Sequence, residues 1–274
     1  MNRKIILDVP LLILVLFATM PACEAQNSYN PYELKVNKEL AYFTTGVVMN
    51  LGGLLARTGK TPFTTQQALT DTNTDKIPSF DLSAVKQSNA AYLNASNYAL
   101  YAAMALPLLS LADGRINDNA VTTILLYVET IAIGSGAYNL TSGLVSRRRP
   151  LTYNTQDFTI EERTASNVKE SFFSGHTSIS ACASFCGAKI FNDFHPHSKL
   201  TPVVWTVAVT FPAFIGLARY KAGKHFPSDV VTGYVVGAGI GYLIPQLHRI
   251  DHGDRLSIAP MLGNGKGLYL SYAF

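Results

Sequence analysis

The chain has 274 residues, of which 48% are hydrophobic and only 15% charged. That length supports one sizeable domain with a modest extension, at the apolar edge of the soluble range. The 22 basic and 18 acidic residues leave a net charge of +4. No basic run is long enough, or suitably interleaved with aromatics, for a nucleic-acid partner. A cationic pocket for an anionic substrate is the more economical reading.

In chain order, residues 1–25 read as an export signal. Arg3 and Lys4 precede the apolar run Leu11–Ala18, and Cys23 and Ala25 suit cleavage before Gln26. A lipidation box, Met20-Pro21-Ala22-Cys23, is the second reading, although Pro21 fits it poorly. Either way the expected location is outside the cytoplasm, in the periplasm or envelope. A polar segment, Asn27–Glu39, is followed by the apolar stretch Leu40–Arg57. Thr58–Ala90 carries Pro62 and Pro78 as breakers and is expected to be loop with short helices. Helical segments are expected at Asn97–Ala112, Ala120–Thr141, Thr177–Phe191, Pro202–Arg219 and Val230–Leu247, since strand alternation is absent. Leu151–Ser171 is long and polar, and loops of that length inside a domain tend to be functional. Cys182 and Cys186 read as two small buried residues on one helix face.

The tail changes character. Leu256–Leu262 and Gly267–Phe274 flank the turn signal Gly263-Asn264-Gly265-Lys266, which predicts a hairpin. The expected fold is therefore all-α: a helical bundle of about five to six core helices with a short C-terminal β-hairpin. The domain spans 26–252 and the extension 253–274. Most segments run about 15–18 residues, short of the ~20 that a bilayer core needs. Buried bundle helices and lipid-facing ones explain the composition equally well, so membrane association stays open.

The conspicuous polar residues fall at helix ends. Arg149-Pro150 follows the second long segment, Ser174-Gly175-His176 precedes the third, Arg219 closes the fourth, and His225 and Asp229 straddle the start of the last. Helices running alternately up and down bring all of these to one end of the bundle. The residue types there suit phosphoryl transfer. Arg149 and Arg219 can clamp phosphate oxygens with guanidinium forks. Ser174-Gly175 feeds a helix start whose free amides and positive dipole end favour an anion. At a spacing of four, the Asp229 carboxylate can accept from one imidazole nitrogen of His225. The other nitrogen is then free to attack phosphorus. His176 is placed to protonate the leaving oxygen. Each element alone is more simply a cap, a stop signal or a solvated charge. Their order on coincident helix ends is what makes a site.

Residues 142–229 resemble the three-part signature of the type 2 phosphatidic acid phosphatase superfamily, which also includes bacterial acid phosphatases and vanadium haloperoxidases. Arg149-Pro150 ends its first part, Phe173-Ser174-Gly175-His176 stands where it has Pro-Ser-Gly-His, and Ala218-Arg219, His225 and Asp229 keep the spacings of its third. The resemblance implies an all-helical core, a His225 nucleophile, a His176 acid, and neither cofactor nor metal for hydrolysis. Its leading Lys falls on Ser142, so a phosphate-binding charge is missing unless Arg147, Arg148, Lys221 or Lys224 supplies it, and Arg147 is counted with the cradle. Phe173 replaces Pro, and Ala218 replaces Ser.

The leading expectation is an exported phosphatase of the cell envelope that forms a phospho-histidine and acts on phosphomonoesters or lipid (pyro)phosphates. Its partner is then a phosphorylated small molecule or lipid, not nucleic acid, with the oligomeric state open. The alternatives are a vanadium-dependent haloperoxidase and a catalytically weakened envelope protein on the same fold. His195-Pro196-His197 reads as an inter-helix turn rather than a metal site. His248 and His252 read as polar residues leaving the last helix.

Overall fold

A computed structural model describes residues 29–250, 256–261 and 267–272. The export-signal and lipidation-box readings at 1–25 lie outside the described residues, as does the turn at 263–266. The fold is all-α. In chain order the helices are α1 (Val36–Thr58), short α2 (Thr65–Thr70) and α3 (Ser79–Leu82), and α4 (Ala90–Ala105), which is followed by a 3-10 stretch, Leu106–Ala112. Then come short α5 (Gly114–Asn117), α6 (Ala120–Leu144), short α7 (Ile160–Arg163), α8 (Gly175–Phe194), α9 (Thr201–Lys221) and α10 (Pro227–His248). Strands β1 (Leu256–Met261) and β2 (Gly267–Tyr272) pair antiparallel, with Leu256 opposite Tyr272 and Met261 opposite Gly267.

The long helices exceed the apolar segments that predicted them. α4 begins at Ala90, seven residues before the expected start, and is capped by Asn89, whose Oδ1 accepts from the amides of Ala91 at 3.0 Å and Tyr92 at 3.3 Å. α6 runs 25 residues, continuing through Thr141 and Ser142. The expectation that these helices fall short of a bilayer is therefore corrected. Ala90–Ala112, Ala120–Leu144, Thr201–Lys221 and Pro227–His248 are each long and apolar enough to cross a membrane.

α8 is the central helix, packed between α4, α6, α9 and α10. Its sequence explains how neighbours can cover it on all sides. Ser178, Ser180, Ala181, Cys182, Ala183 and Cys186 are all buried, and none is larger than cysteine. Cys182 and Cys186 are buried free thiols, in keeping with their reading as small residues on one helix face.

Against α8, α10 sets a ladder of glycines. A Cβ on Gly233 would meet the Ser174 carbonyl oxygen at 2.6 Å, one on Gly237 that of Ser178 at 2.1 Å, and one on Gly241 that of Cys182 at 2.4 Å. Both series advance by four, so the helices run parallel and begin at the same end. α1 and α6 show the same device: a Cβ on Gly53 would lie 2.3 Å from the Asn139 oxygen, and one on Gly143 2.6 Å from the Gly53 oxygen. Small residues repeated at helical spacing let backbones touch, the packing mode favoured between helices in a bilayer. Gly239 faces open space, with nothing within 4 Å of an added Cβ. Gly237→Ala should therefore lower stability by about 3 kcal/mol through overpacking, whereas Gly239→Ala should raise it by up to ~1 kcal/mol through helix propensity. Thermal unfolding of the two variants, two positions apart on one helix, checks the ladder directly.

Candidate active site

Parallel α8 and α10, with antiparallel α6 and α9 between and beside them, bring four helix ends together. The C-terminal side of α6, the start of α8, the end of α9 and the start of α10 all reach the same pole. α1 ends there too, bringing Arg57.

His225 sits just before α10 and is only 1% exposed. Its Nδ1 lies 2.8 Å from the Ser171 carbonyl oxygen. A carbonyl can only accept, so Nδ1 carries the hydrogen and Nε2 presents its lone pair. The expected direct bond from Asp229 is corrected here: Asp229 Oδ2 stands 3.9 Å from Nδ1. The carboxylate is instead taken up by three other donors. Oδ2 accepts from the Ser171 hydroxyl at 2.5 Å and from the Phe226 amide at 2.9 Å, and Oδ1 from Arg147. Asp229 thus acts on His225 through Ser171, holding the residue whose carbonyl fixes the tautomer. Ser171 was missed because a serine in a long loop carries no spacing signal.

Arg147 is also corrected. Its guanidinium is ion-paired with Asp229 and, at 2.7 Å, with Asp81 of α3, and it donates to Ser228 Oγ at 2.9 Å. Two carboxylates satisfy its charge, so it braces the start of α10 rather than joining the cradle. Arg149 and Arg219 differ. They are 7% and 5% exposed, and among the described residues neither has a carboxylate partner. Arg149 donates only to the Glu170 carbonyl at 3.4 Å; Arg219 reaches Ser96 Oγ at 3.4 Å and Asn97 Oδ1 at 3.3 Å. Among the described residues the Nε atom of each has no hydrogen-bond partner. Two buried, uncompensated cations with idle donors are the mark of an anion site.

Ser142 holds a further cation in place. Arg57 of α1 donates to the Ser142 hydroxyl through Nε at 3.1 Å and also through NH2, and to Asn139 Oδ1 at 2.7 Å. A guanidinium thus reaches position 142 from another helix, which reading α6 alone does not reveal, although Glu170 Oε2 lies 3.5 Å from its Nε and offsets part of the charge. Lys224 lies close enough that burial, then Arg149 and Arg219, hold its ammonium below the usual lysine range.

His176, the second residue of α8, places Nε2 3.0 Å from Asn97 Oδ1. The same oxygen accepts from Arg219, so Asn97 of α4 ties acid candidate to clamp; it too went unread in the sequence. The Ser174 hydroxyl lies 2.8 Å from Thr177 Oγ1 and makes no side-chain cap bond to the α8 amides. Gly175 leaves room for the Tyr138 ring, which an added Cβ would meet at 2.7 Å.

Burial, then the charges of Arg219 and Arg149, push the His176 pKa down to about 3. Burial, then Arg149 and Arg219, hold His225 well below the usual range as well. Both rings are neutral in the folded chain at pH 6.5, while an unfolded histidine protonates as pH falls through about 6.5. This contribution to stability is whole above that pH and is lost as pH drops from about 6.5 towards 3. Thermal unfolding between pH 7 and 4 should show the fall, and His176→Asn should lessen it while leaving the share of His225.

Residues 123–251 match the family model described as the PAP2 superfamily. No curated protein and no solved structure matches the chain. The matched span contains most of α6 and all of α8, α9 and α10, whose ends carry Arg149, His176, Arg219, His225 and Asp229 at one pole, and over that span the chain belongs to the PAP2 superfamily.

Proposed function

We propose that the chain is a phosphatase hydrolysing phosphomonoesters or lipid (pyro)phosphates through a phospho-histidine on His225. The observation that carries this reading is the pair of buried arginines, Arg149 and Arg219, with idle Nε donors and no acidic partner, acting on a histidine whose Nε2 is unprotonated. Phosphate oxygens take up those donors, and Arg57 and Lys224 add positive charge at the rim. The His225 Nε2 lone pair attacks phosphorus and forms the N–P bond as the bond to the leaving oxygen breaks. The bound anion offsets the charges of Arg219 and Arg149, so His176 gains proton affinity and its Nδ1 takes up a proton from solvent water or the phosphate monoanion. With Nε2–H resting on Asn97, Nδ1 of the imidazolium gives its proton to the leaving oxygen. Water then attacks phosphorus, His176 takes its proton back, and phosphate leaves with His225 restored.

The apolar surface favours a lipid substrate. Val203, Val207 and Phe214 on α9 and Val231, Val235 and Leu243 on α10 are all exposed, far more than a soluble helix face displays. A lipid bilayer around these helices puts the cradle at its edge, where a phosphate headgroup lies and acyl chains remain in the apolar layer. We assign the protein to the cell envelope on the same reading.

A phosphate-release screen pairing lipid phosphates in detergent micelles with sugar phosphates tests this. Faster turnover of lipid phosphates, with an acid-labile phosphoryl group trapped on the chain, is expected. Turnover of sugar phosphates alone by detergent-free protein sinks the lipid assignment, and no trapped phosphoryl group sinks the covalent mechanism.

A further inference from the structure

The pole opposite the cradle holds three ionisable side chains from three helices. Glu39 lies in the first turn of α1, Glu129 on α6, and His248 ends α10; all three are buried. His248 Nε2 stands 3.1 Å from Glu39 Oε2 and 3.2 Å from Glu129 Oε2. One ligand atom from each residue falls within 4.8 Å of the others. At ~1.5 Å per helical residue, roughly 28 Å of α10 separates His248 from Asp229. The cluster is therefore no part of the cradle. Reading His248 as a polar residue leaving the helix is corrected: it is 2% exposed and faces inward.

Two observations say what the cluster lacks. His248 Nδ1 is 2.7 Å from the Ile244 carbonyl oxygen, so Nδ1 carries the hydrogen. A neutral ring then turns its Nε2 lone pair toward two carboxylate oxygens. Among the described residues Glu129 Oε2 has no hydrogen-bond partner, although the residue is only 4% exposed. A single proton on Nε2 serves Glu39 and leaves Glu129 unsatisfied, with one positive charge against two negative ones. A divalent cation serves all three atoms at once.

The geometry agrees. Bonds of about 2.0–2.1 Å to a tetrahedral zinc set ligand atoms roughly 3.3–3.4 Å apart, close to the separations from Nε2. A backbone carbonyl accepting from the far nitrogen is the usual outer partner of a metal-bound histidine. We propose that Glu39, Glu129 and His248 bind a divalent cation, zinc foremost, which joins α1, α6 and α10 at the pole away from the cradle.

The test uses the purified full-length chain, treated with chelator and then given zinc chloride. One zinc per chain should survive gel filtration by elemental analysis, and the unfolding temperature should rise by about 5–10 °C. Glu129→Gln should lose both effects, and the double variant His195→Ala with His197→Ala should keep them. Zinc-independent unfolding, or a shift that persists in Glu129→Gln, overturns the site. Should Glu129→Gln fail to fold, the cobalt-loaded wild-type chain decides. Intense visible bands of tetrahedral Co2+ support the site, and the weak spectrum of the hydrated ion overturns it.

Discussion

His225→Ala is expected to lower phosphate release by about 10^4-fold or more, because it removes the atom that bonds phosphorus in the proposed mechanism. No neighbouring group can stand in for it. His176 has its Nε2 committed to Asn97, and the Ser174 hydroxyl is paired with Thr177. The fold should survive, since the lost ring is neutral and makes one hydrogen bond, to the Ser171 carbonyl. Substrate should still bind, because Arg149 and Arg219 remain. A kcat collapse with little change in KM, in protein that unfolds normally, is the expected pattern. Retained turnover would remove His225 from the nucleophile's role while leaving the cradle intact.

Arg149→Met should move activity and stability in opposite directions. Phosphate release should fall about 10^2- to 10^3-fold, the scale of losing one preorganised donor to transition-state charge. Stability in phosphate-free buffer should rise by about 1–3 kcal/mol. The reason is that the wild-type side chain buries a cation with no acidic partner and one idle donor. Burial already holds its guanidinium below the usual arginine range. Added inorganic phosphate should stabilise the wild-type chain and do much less for the variant. If activity and stability fell together, Arg149 would be a structural arginine like Arg147, and the cradle would have to be redrawn.

The contrast between those two arginines marks the limit of reading one dimension. Arg147 and Arg149 are two residues apart, and nothing local separates their roles. Asp81, 66 positions upstream of Arg147, decides the matter by claiming its NH2 group. Likewise Ser142 looked like a lost charge until α1 brought Arg57 against it. What was legible obeyed short-range rules: helix-forming apolar stretches, the glycine-histidine helix start, and the four-residue step from His225 to Asp229. That step did bring the two residues together, yet it could not foresee that Ser171 stands between them. Helix lengths were underread for a related reason. Apolar runs mark the faces that are covered, whereas caps such as Asn89 mark where the backbone starts to coil.

The α8–α10 glycine ladder bears on how such a catalyst can be altered. Main-chain atoms in contact leave no slack, so His176 and His225 keep one separation whatever occupies the cradle. New substrates cannot be accommodated by sliding these two helices, since any side chain at 233, 237 or 241 wedges them apart. Retuning must fall to segments outside that seam, such as the connecting segment 59–89, whose Asp81 grips Arg147 and Ser228 beside the site. Grafting that segment from a relative, with Asp81 retained, is the exchange most apt to change what is hydrolysed and spare the chemistry.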